Sequence, residues 1–377
     1  MNNLKWLTFS DVHLGHKRTS TEEILKNLYI FFKDFTGEVY SDLDFIFIAG
    51  DLFDGLLDYS GNDREIHSIK LWLNSIMRFC HKYSIALRIL EGTPSHDWKQ
   101  SFMAVTIYEI IDLPFDFKYV NSLYIEQHSK ATILYIPDEW TSSTDTTYKQ
   151  VKELMNNIHI DSVDIAIMHG AFEYQLRQAP AKVQKHNEHL YESIVKYAIN
   201  IGHIHTHSVH GKIIAQGSFD RLAHGEEEKK GAVVCQVLND ELIYFFIVNK
   251  GAKIYKTITL KHLDVDSSIA KIEKEISKYP EMSYIRIKAK KDHPVLIGFD
   301  DLKARFPFYI FTKTTTEEEE ESQFGVMSNI PVMTGDYTPI AITRDNIKEL
   351  IMEQIHSKYH FTDKQLDLAS RLMDVVS

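Results

Sequence analysis

The sequence predicts an α/β fold, and three observations carry the prediction. Short runs recur that are apolar on successive residues: LKWLTFSD (4–11), DFIFIAGD (44–51), IALRILEG (85–92), ATILYIPD (131–138), VDIAIMHG (163–170) and YAINIGHIH (197–205). A strand apolar on both alternating sides is one buried on both faces. Helix-length segments separate several of these runs, and strands alternating with helices build layered α/β architectures. Finally, 377 residues with 44% hydrophobic content exceed what one small core needs, so a large domain with smaller modules is expected.

The first helix is TSTEEILKNLYIFFKDF, where Ile24, Leu28 and Phe31 fall at helical spacing behind a Ser/Thr start followed by Glu22 and Glu23. EIHSIKLWLNSIMRFCHKY repeats the pattern. After the sixth run, HGKIIAQGS and GAVVCQVLNDELIYFFIV read as strands, with LNDEL as a hairpin turn. These elements bound a domain over 1–250. A small α+β module follows over 251–312: YKTITL, a helix around SSIAKIEKEISKY, and the strands SYIRIKA and FPFYIFT. The like-charge run TTTEEEEES opens an acidic linker or loop over 313–342. In the closing segment, 343–377, two amphipathic helices each follow a Thr N-cap. One aligns Ile347, Leu350, Ile351 and Ile355, the other Leu366, Ala369, Leu372, Met373 and Val376.

Composition narrows the class. No apolar run approaches the roughly 18 residues of a membrane span, and MNNLKWLTFSDVH lacks the basic region and cleavage site of a secretory signal. A cytoplasmic setting without membrane partners is expected. Cys80 and Cys235 are too few and too far apart for a disulfide framework or thiolate site and read as small buried hydrophobes. A net charge of −11 argues against a general nucleic-acid coat, yet bound divalent cations can reverse the local field. The His residues at 159, 169, 186, 189, 203, 205, 207, 210 and 224 cluster within 66 positions, which favours ligand or proton-transfer roles for some of them.

The chemistry sits where the strands end. Asp11 and His13 close the first run as SDVHLGH, Asp51 the second as AGDLFD, His96 and Asp97 the third as GTPSHDW, His169 the fifth, and His203 and His205 the sixth as GHIHTH. In an open α/β sheet the carboxyl ends of strands share one rim, where ligands bind. Carboxylates and imidazoles without thiolates suit Mn²⁺, with Fe²⁺, Zn²⁺ or Mg²⁺ as alternatives. The donors outnumber what one ion with an open position needs. Two ions sharing a carboxylate account for them, and such pairs hydrolyse phosphoesters. His207 and His210 read as loop or strand residues, while His186, His189 and His224 stay open.

The ordered set DxH, GD, HD, H and GHxH resembles the calcineurin-like metallophosphoesterase superfamily over residues 1 to about 240. DVHLGH, GDLFD and QGSFDRLAHGEEEKKG are similar to the SbcD family, the nuclease subunit of a double-strand-break repair complex, especially its large-bacteriophage exonuclease members. The resemblance implies a two-sheet α/β sandwich with a small capping domain and a C-terminal helical segment. It implies one metal on Asp11, His13, Asp51 and His205 and a second on Asp51, His169 and His203, with Asp51 bridging. His96 takes the place of the family's proton donor to the leaving oxygen, and Asp97 orients His96 or caps a helix. Family members read GNHD; here Ser95 precedes His96-Asp97, so Ser95 is aligned with a second-metal ligand, with Thr93 and Pro94 inserted.

The activity implied is that of a two-metal, Mn²⁺-dependent DNA exonuclease or endonuclease. Implied partners are DNA, a second copy in a homodimer, and an SbcC-type coiled-coil ATPase bound through the C-terminal helices. If the chain is phage-encoded, its compartment is the host cytoplasm. No GxxxxGK[ST] occurs, so ATP dependence would come from another chain. Two alternatives share these motifs: a phosphodiesterase or phosphatase on a non-DNA substrate, and a catalytically weakened scaffold subunit of a nuclease–ATPase complex.

Overall fold

A computed structural model of the chain describes residues 3–17, 19–35, 40–57, 63–138, 141, 143–176, 183–261 and 264–316. Strands β1 (Leu4–Phe9), β2 (Phe45–Ala49), β3 (Ala86–Leu90) and β4 (Phe117–Val120) come first. Then follow β5 (Tyr124–Gln127), β6 (Thr132–Ile136), β7 (Val163–His169), β8 (Val195–Gly202), β9 (Ser208–His210) and β10 (Ile213–Ala215). The chain returns through β11 (Gly231–Leu238) and β12 (Glu241–Val248). They pair into two six-stranded sheets, ordered β12-β11-β1-β2-β3-β4 and β5-β6-β7-β8-β10-β9. Within them β1 to β4 are mutually parallel, as are β6, β7, β8 and β10, while β11, β12, β5 and β9 pair antiparallel.

The doubly apolar runs now have their reason. Trp6, Phe45, Phe47, Leu90, Ile133, Tyr135, Ile165 and Ile167 fill the space between the sheets. One residue on, Leu7, Phe9, Ile46, Ile48, Leu87 and Ile89 point the other way, against the helices Thr21–Phe31 and Asp63–Tyr83. Behind the second sheet, Leu134, Ala166, Met168 and Ile199 pack with Val151 and Met155 of helix Thr144–Asn157. The result is a two-sheet α/β sandwich with helices on its outer faces. Cys80 and Cys235 are buried in it, and burial pushes both thiol pKa values up, Cys235 to about 12.

Local signals hold where they were read. Ser20 Oγ accepts from the Glu23 amide at 3.3 Å, capping the first helix, and donates to the Glu23 carboxylate at 3.0 Å. Asn239 and Asp240 both take left-handed backbone (φ 53° and 67°), the turn that matches strand twist in the β11–β12 hairpin. Strands β4, β5 and β9 and helix Thr144–Asn157 carried no clear sequence signal: the three strands are short, and most of their residues are only partly buried or exposed.

One charged group crosses the sandwich core. Arg88 of β3, 1% exposed, donates from Nε and a terminal nitrogen to both oxygens of Glu126 on β5, at 2.9 and 2.7 Å. Asp116, Lys118 and the Tyr135 hydroxyl complete the cluster. Burial alone would raise the Glu126 pKa, but the Arg88 fork outweighs it and holds the carboxyl down to about 2.

Beyond the sandwich, β13 (Tyr255–Thr259), β14 (Tyr284–Ala289) and β15 (Ile310–Thr315) form a separate three-stranded sheet. Its own core holds Ile258, Leu260, Ile272, Ile276, Ile285, Ile287, Phe299 and Phe311. Two readings change here. The strands are all parallel, so this is a pair of β-helix-β crossovers rather than an α+β arrangement: parallel neighbours need a long connection, and helices Val265–Ile276 and Phe299–Arg305 lie in those connections. The boundary at 312 also falls inside β15, whose Lys313, Thr314 and Thr315 pair with Ile287, Lys288 and Ala289. The rest of the acidic run and the helices expected over 343–376 lie outside the described residues. Among the described residues no helix is long and apolar enough to cross a membrane.

Candidate metal centre

The site is built at the carboxyl ends of β1, β2, β3, β7 and β8, on loops that zip onto one another. Asp11, Val12, His13 and Leu14 donate their amides to the carbonyls of Gly50, Asp51, Asp51 and Leu52 at 3.1, 2.8, 3.1 and 2.9 Å. Both carboxylate oxygens of Asp11 in turn accept the His203 amide, at 3.0 and 3.1 Å. To turn side chains inward, Asp11, His13, Asp51 and His203 adopt positive φ (52°, 55°, 49° and 97°). This conformation costs a non-glycine residue roughly 1 kcal/mol or more, a strain that clusters at functional sites. Close approach is also enforced at Gly92, where a Cβ would stand 2.1 Å from the Asp51 amide nitrogen.

Three groups of ligating atoms result, each with its members within 4.8 Å of one another: Asp11, His13 and His205; Asp51, His169 and His203; and His13, Asp54 and His96. Asp51 stands between the first two, its Oδ2 3.9 Å from His13 Nε2 and its Oδ1 3.2 Å from His169 Nε2. The strand-end residues read from the sequence, Asp11, His13, Asp51, His169, His203 and His205, are therefore brought together on one rim.

The hydrogen bonds behind the rings test whether these donors suit a cation. His13 Nδ1 faces Asp54 Oδ1 at 2.8 Å, His205 Nδ1 faces Glu226 Oε1 at 3.0 Å, and His169 Nδ1 faces the Ala49 carbonyl at 2.7 Å. Those oxygens only accept, so each Nδ1 carries the proton. The lone pairs of His13 Nε2 and His205 Nε2 are left facing each other 3.2 Å apart, and His169 Nε2 faces the Asp51 carboxylate. Positive charge held between them relieves both contacts. Burial lowers the His169 pKa, yet Asp51 more than reverses this and lifts it well above the usual imidazole value. Burial lifts and the imidazoles, His169 first, hold Asp51 well below the carboxylate range. These buried His and Asp groups can hold metal ions.

Two positions differ from the sequence reading. Ser95 is exposed and contributes its backbone carbonyl to Trp98 Nε1 at 2.9 Å, so it is not among the clustered donors. Thr93 is: its amide donates to Asp51 Oδ1 at 2.6 Å, and its hydroxyl lies 3.4 Å from His169 Nε2 and 3.3 Å from His203 Nδ1. The short helix Pro94–Asp97 lifts Ser95 out of the site. Asp97 does not orient His96. Its carboxylate accepts the Phe53 and Gly92 amides at 2.9 and 2.7 Å, fastening the second and third loops together. Burial, with Asp51 and Glu91 nearby, pushes its pKa up to about 8. The carboxylate beside His96 is Asp54, 3.5 Å from Nδ1, and it raises the His96 pKa.

Sequence reasoning also passed over Asp138, whose Oδ2 lies 3.0 Å from the Thr93 hydroxyl and 3.5 Å from His203 Nδ1, and Glu226 behind His205. Asp138 ends the fourth apolar run and carried that signal; Glu226 lies in a Glu-rich stretch without distinguishing spacing. His207 packs on Phe246, His210 on Tyr174, and buried His186 has its pKa pushed down to about 4 by desolvation. For Glu226, burial is outweighed by His205 and Lys230, which hold the carboxyl at about 2. Carboxylates behind ligating imidazoles typically matter by roughly 10–100-fold in metal affinity. Glu226→Gln is expected to weaken Mn²⁺ uptake at the His205 position by that order, as measured by titration calorimetry, with the fold unchanged by circular dichroism.

No family model and no curated protein matches the chain. Among solved structures, that of TT1561 from Thermus thermophilus is similar at TM-score 0.37 and 10% identity, over 64% of this chain and 98% of that one. A second crystal structure is similar at TM-score 0.38 and 12% identity, over 65% and 99%.

Proposed function

We propose that this chain is a two-metal phosphodiesterase of the metallophosphoesterase type that cleaves DNA, an SbcD-like nuclease working with a coiled-coil ATPase. The observation that carries the chemistry is the facing pair of His13 and His205 imidazole nitrogens on one side of Asp51, with His169 on the other, a donor set that asks for divalent cations. Asp11, His13, Asp51 and His205 would hold one, and Asp51, His169 and His203, with Thr93 and Asp138 beside them, the other. Bound there, such ions supply Lewis acidity toward phosphoryl oxygens and acidify water. The protein's own share is positional. Asp51 fixes the spacing of the two ligand sets, and Thr93 ties Asp51 to the third loop.

His96 holds a proton at the edge of the site. Its Nδ1 turns toward Asp54 and the side chain is 37% exposed, leaving Nε2 for a leaving oxygen. The raised pKa keeps the protonated form available near neutral pH, which general acid catalysis requires. His96→Ala is expected to lower turnover by roughly 10²–10⁴-fold while leaving metal uptake intact.

Support for a polyanionic substrate comes from the small module. Residues 253–316 carry thirteen Lys and Arg against eight Asp and Glu, in a chain of net charge −11. On β14, Ile285, Ile287 and Ala289 are buried, so Arg286 and Lys288 alternate to the opposite side, flanked in register by Thr257, Thr259, Thr312 and Thr314. Thr312 meets His224 at 3.1 Å, two residues before Glu226 of the metal centre. Phosphate contacts by such residues give affinity without base readout.

The test compares labelled duplex DNA, single-stranded DNA and an aryl phosphodiester with Mn²⁺, with and without an SbcC-type ATPase. DNA cleavage abolished by chelation is the expected result. Turnover of the aryl ester with no cleavage of DNA under any condition would reject the nuclease reading.

A further inference from the structure

Trp98 stands out from the other described tryptophans. Trp6 and Trp72 are fully buried, whereas Trp98 is 56% exposed on the loop that carries His96. An indole left largely in water forgoes the stabilisation that burial gives an aromatic side chain, so its exposure calls for a use.

The ring is also held. Its Nε1 donates to the Ser95 carbonyl at 2.9 Å, and the Lys99 amide donates to buried Glu91 at 2.7 Å. Trp98 and Lys99 are consecutive residues in left-handed backbone (φ 48° and 56°), a conformation that bulky side chains rarely adopt. Gln100 then locks this loop to the one bearing Asp51 and Asp54, accepting the Leu57 amide at 2.9 Å and donating to the Gly55 carbonyl at 2.8 Å. Leu56 and Phe102 are also exposed on the two loops that form this rim, and Lys99 adds an exposed cation. The rim is continuous with His96 through the chain and through the Asp97 fastening of the loops.

We infer that Trp98 is a stacking platform for a nucleobase next to the scissile phosphate, so the site takes an unpaired or frayed strand end. The inference rests on the nucleic-acid reading above and names a substrate feature that reading leaves open. An aromatic face serves any base, because every base has a π-face, and the neighbouring lysine suits the adjoining backbone.

The full chain is titrated, with Ca²⁺ in place of Mn²⁺, against a short oligo(dT) strand and an abasic strand of equal length and charge. Wild type should bind oligo(dT) more tightly than the abasic strand. Trp98→Ala should weaken oligo(dT) binding about tenfold or more without changing abasic binding or Mn²⁺ uptake. Trp98→Phe should retain most of the preference while losing fluorescence quenching by the strand. Equal weakening of both strands, or no change in either, overturns the stacking role while DNA cleavage by wild type leaves the nuclease reading standing. Wild type that neither binds nor cleaves any strand overturns both.

Discussion

Asp51→Asn should abolish phosphodiester turnover, by on the order of a thousandfold or more, because several kcal/mol of charge stabilisation depend on one shared carboxylate. Its two oxygens face different ligand groups, Oδ2 toward His13 and Oδ1 toward His169. The amide keeps the shape and can still accept from Thr93, but it carries no charge for either group. Mn²⁺ stoichiometry by equilibrium dialysis should fall below that of wild type at the same free-metal concentration. The same variant reports on protons. Burial opposes a charged His169, and Asp51 overrides it, so the metal-free ring holds a proton that a metal ion must displace. Metal uptake by wild type should therefore release a proton and strengthen as pH rises, and Asp51→Asn should lose most of this linkage. Wild-type stoichiometry and rate in Asp51→Asn would reject the shared-carboxylate arrangement.

Arg88→Ala should destabilise the fold by up to about 3–5 kcal/mol, the cost of stripping a buried carboxylate of its main partner and leaving it only Lys118 and the Tyr135 hydroxyl. Glu126 sits 7% exposed between the sheets and loses a two-pronged hydrogen bond in that variant. The pH dependence has a definite sign. The folded-state pKa of Glu126 is about 2, below its ordinary 4.5, so the pair's contribution is fully present above pH 4.5 and is lost as pH falls through 2. Urea unfolding at pH 7 measures the loss, and repeating it at low pH should show the gap between wild type and Arg88→Ala narrowing. Arg88→Met with Glu126→Leu should recover part of the stability, because Lys118 and Asp116 are partly exposed and can turn to water. A gap that stays constant with pH would show that Arg88 acts through packing rather than charge.

The strand ends were readable because the fold uses each run twice. In β1, Trp6 faces one layer and Leu7 another, which keeps the run mostly apolar until the strand stops, so Asp11 and His13 stand out. The same holds for Asp51 after β2 and His169 at the end of β7. Loop residues had no such contrast. Thr93 and Ser95 are two small hydroxyl residues in one turn, and only the path imposed by Pro94 and the Asp97 fastening turns one inward and the other out. Asp54 and Glu226 are single acids among many, recognisable only when the imidazoles they face are known.

From the sequence alone came the layered α/β class, the ligand types and their order, since burial periodicity and side-chain chemistry are local properties that the chain displays directly. Tertiary structure alone assigned Thr93 rather than Ser95, Asp54 rather than Asp97 beside His96, and the outward indole of Trp98. Those choices depend on which loops touch across the rim, and contacts between residues distant in the chain leave no spacing for a sequence to show.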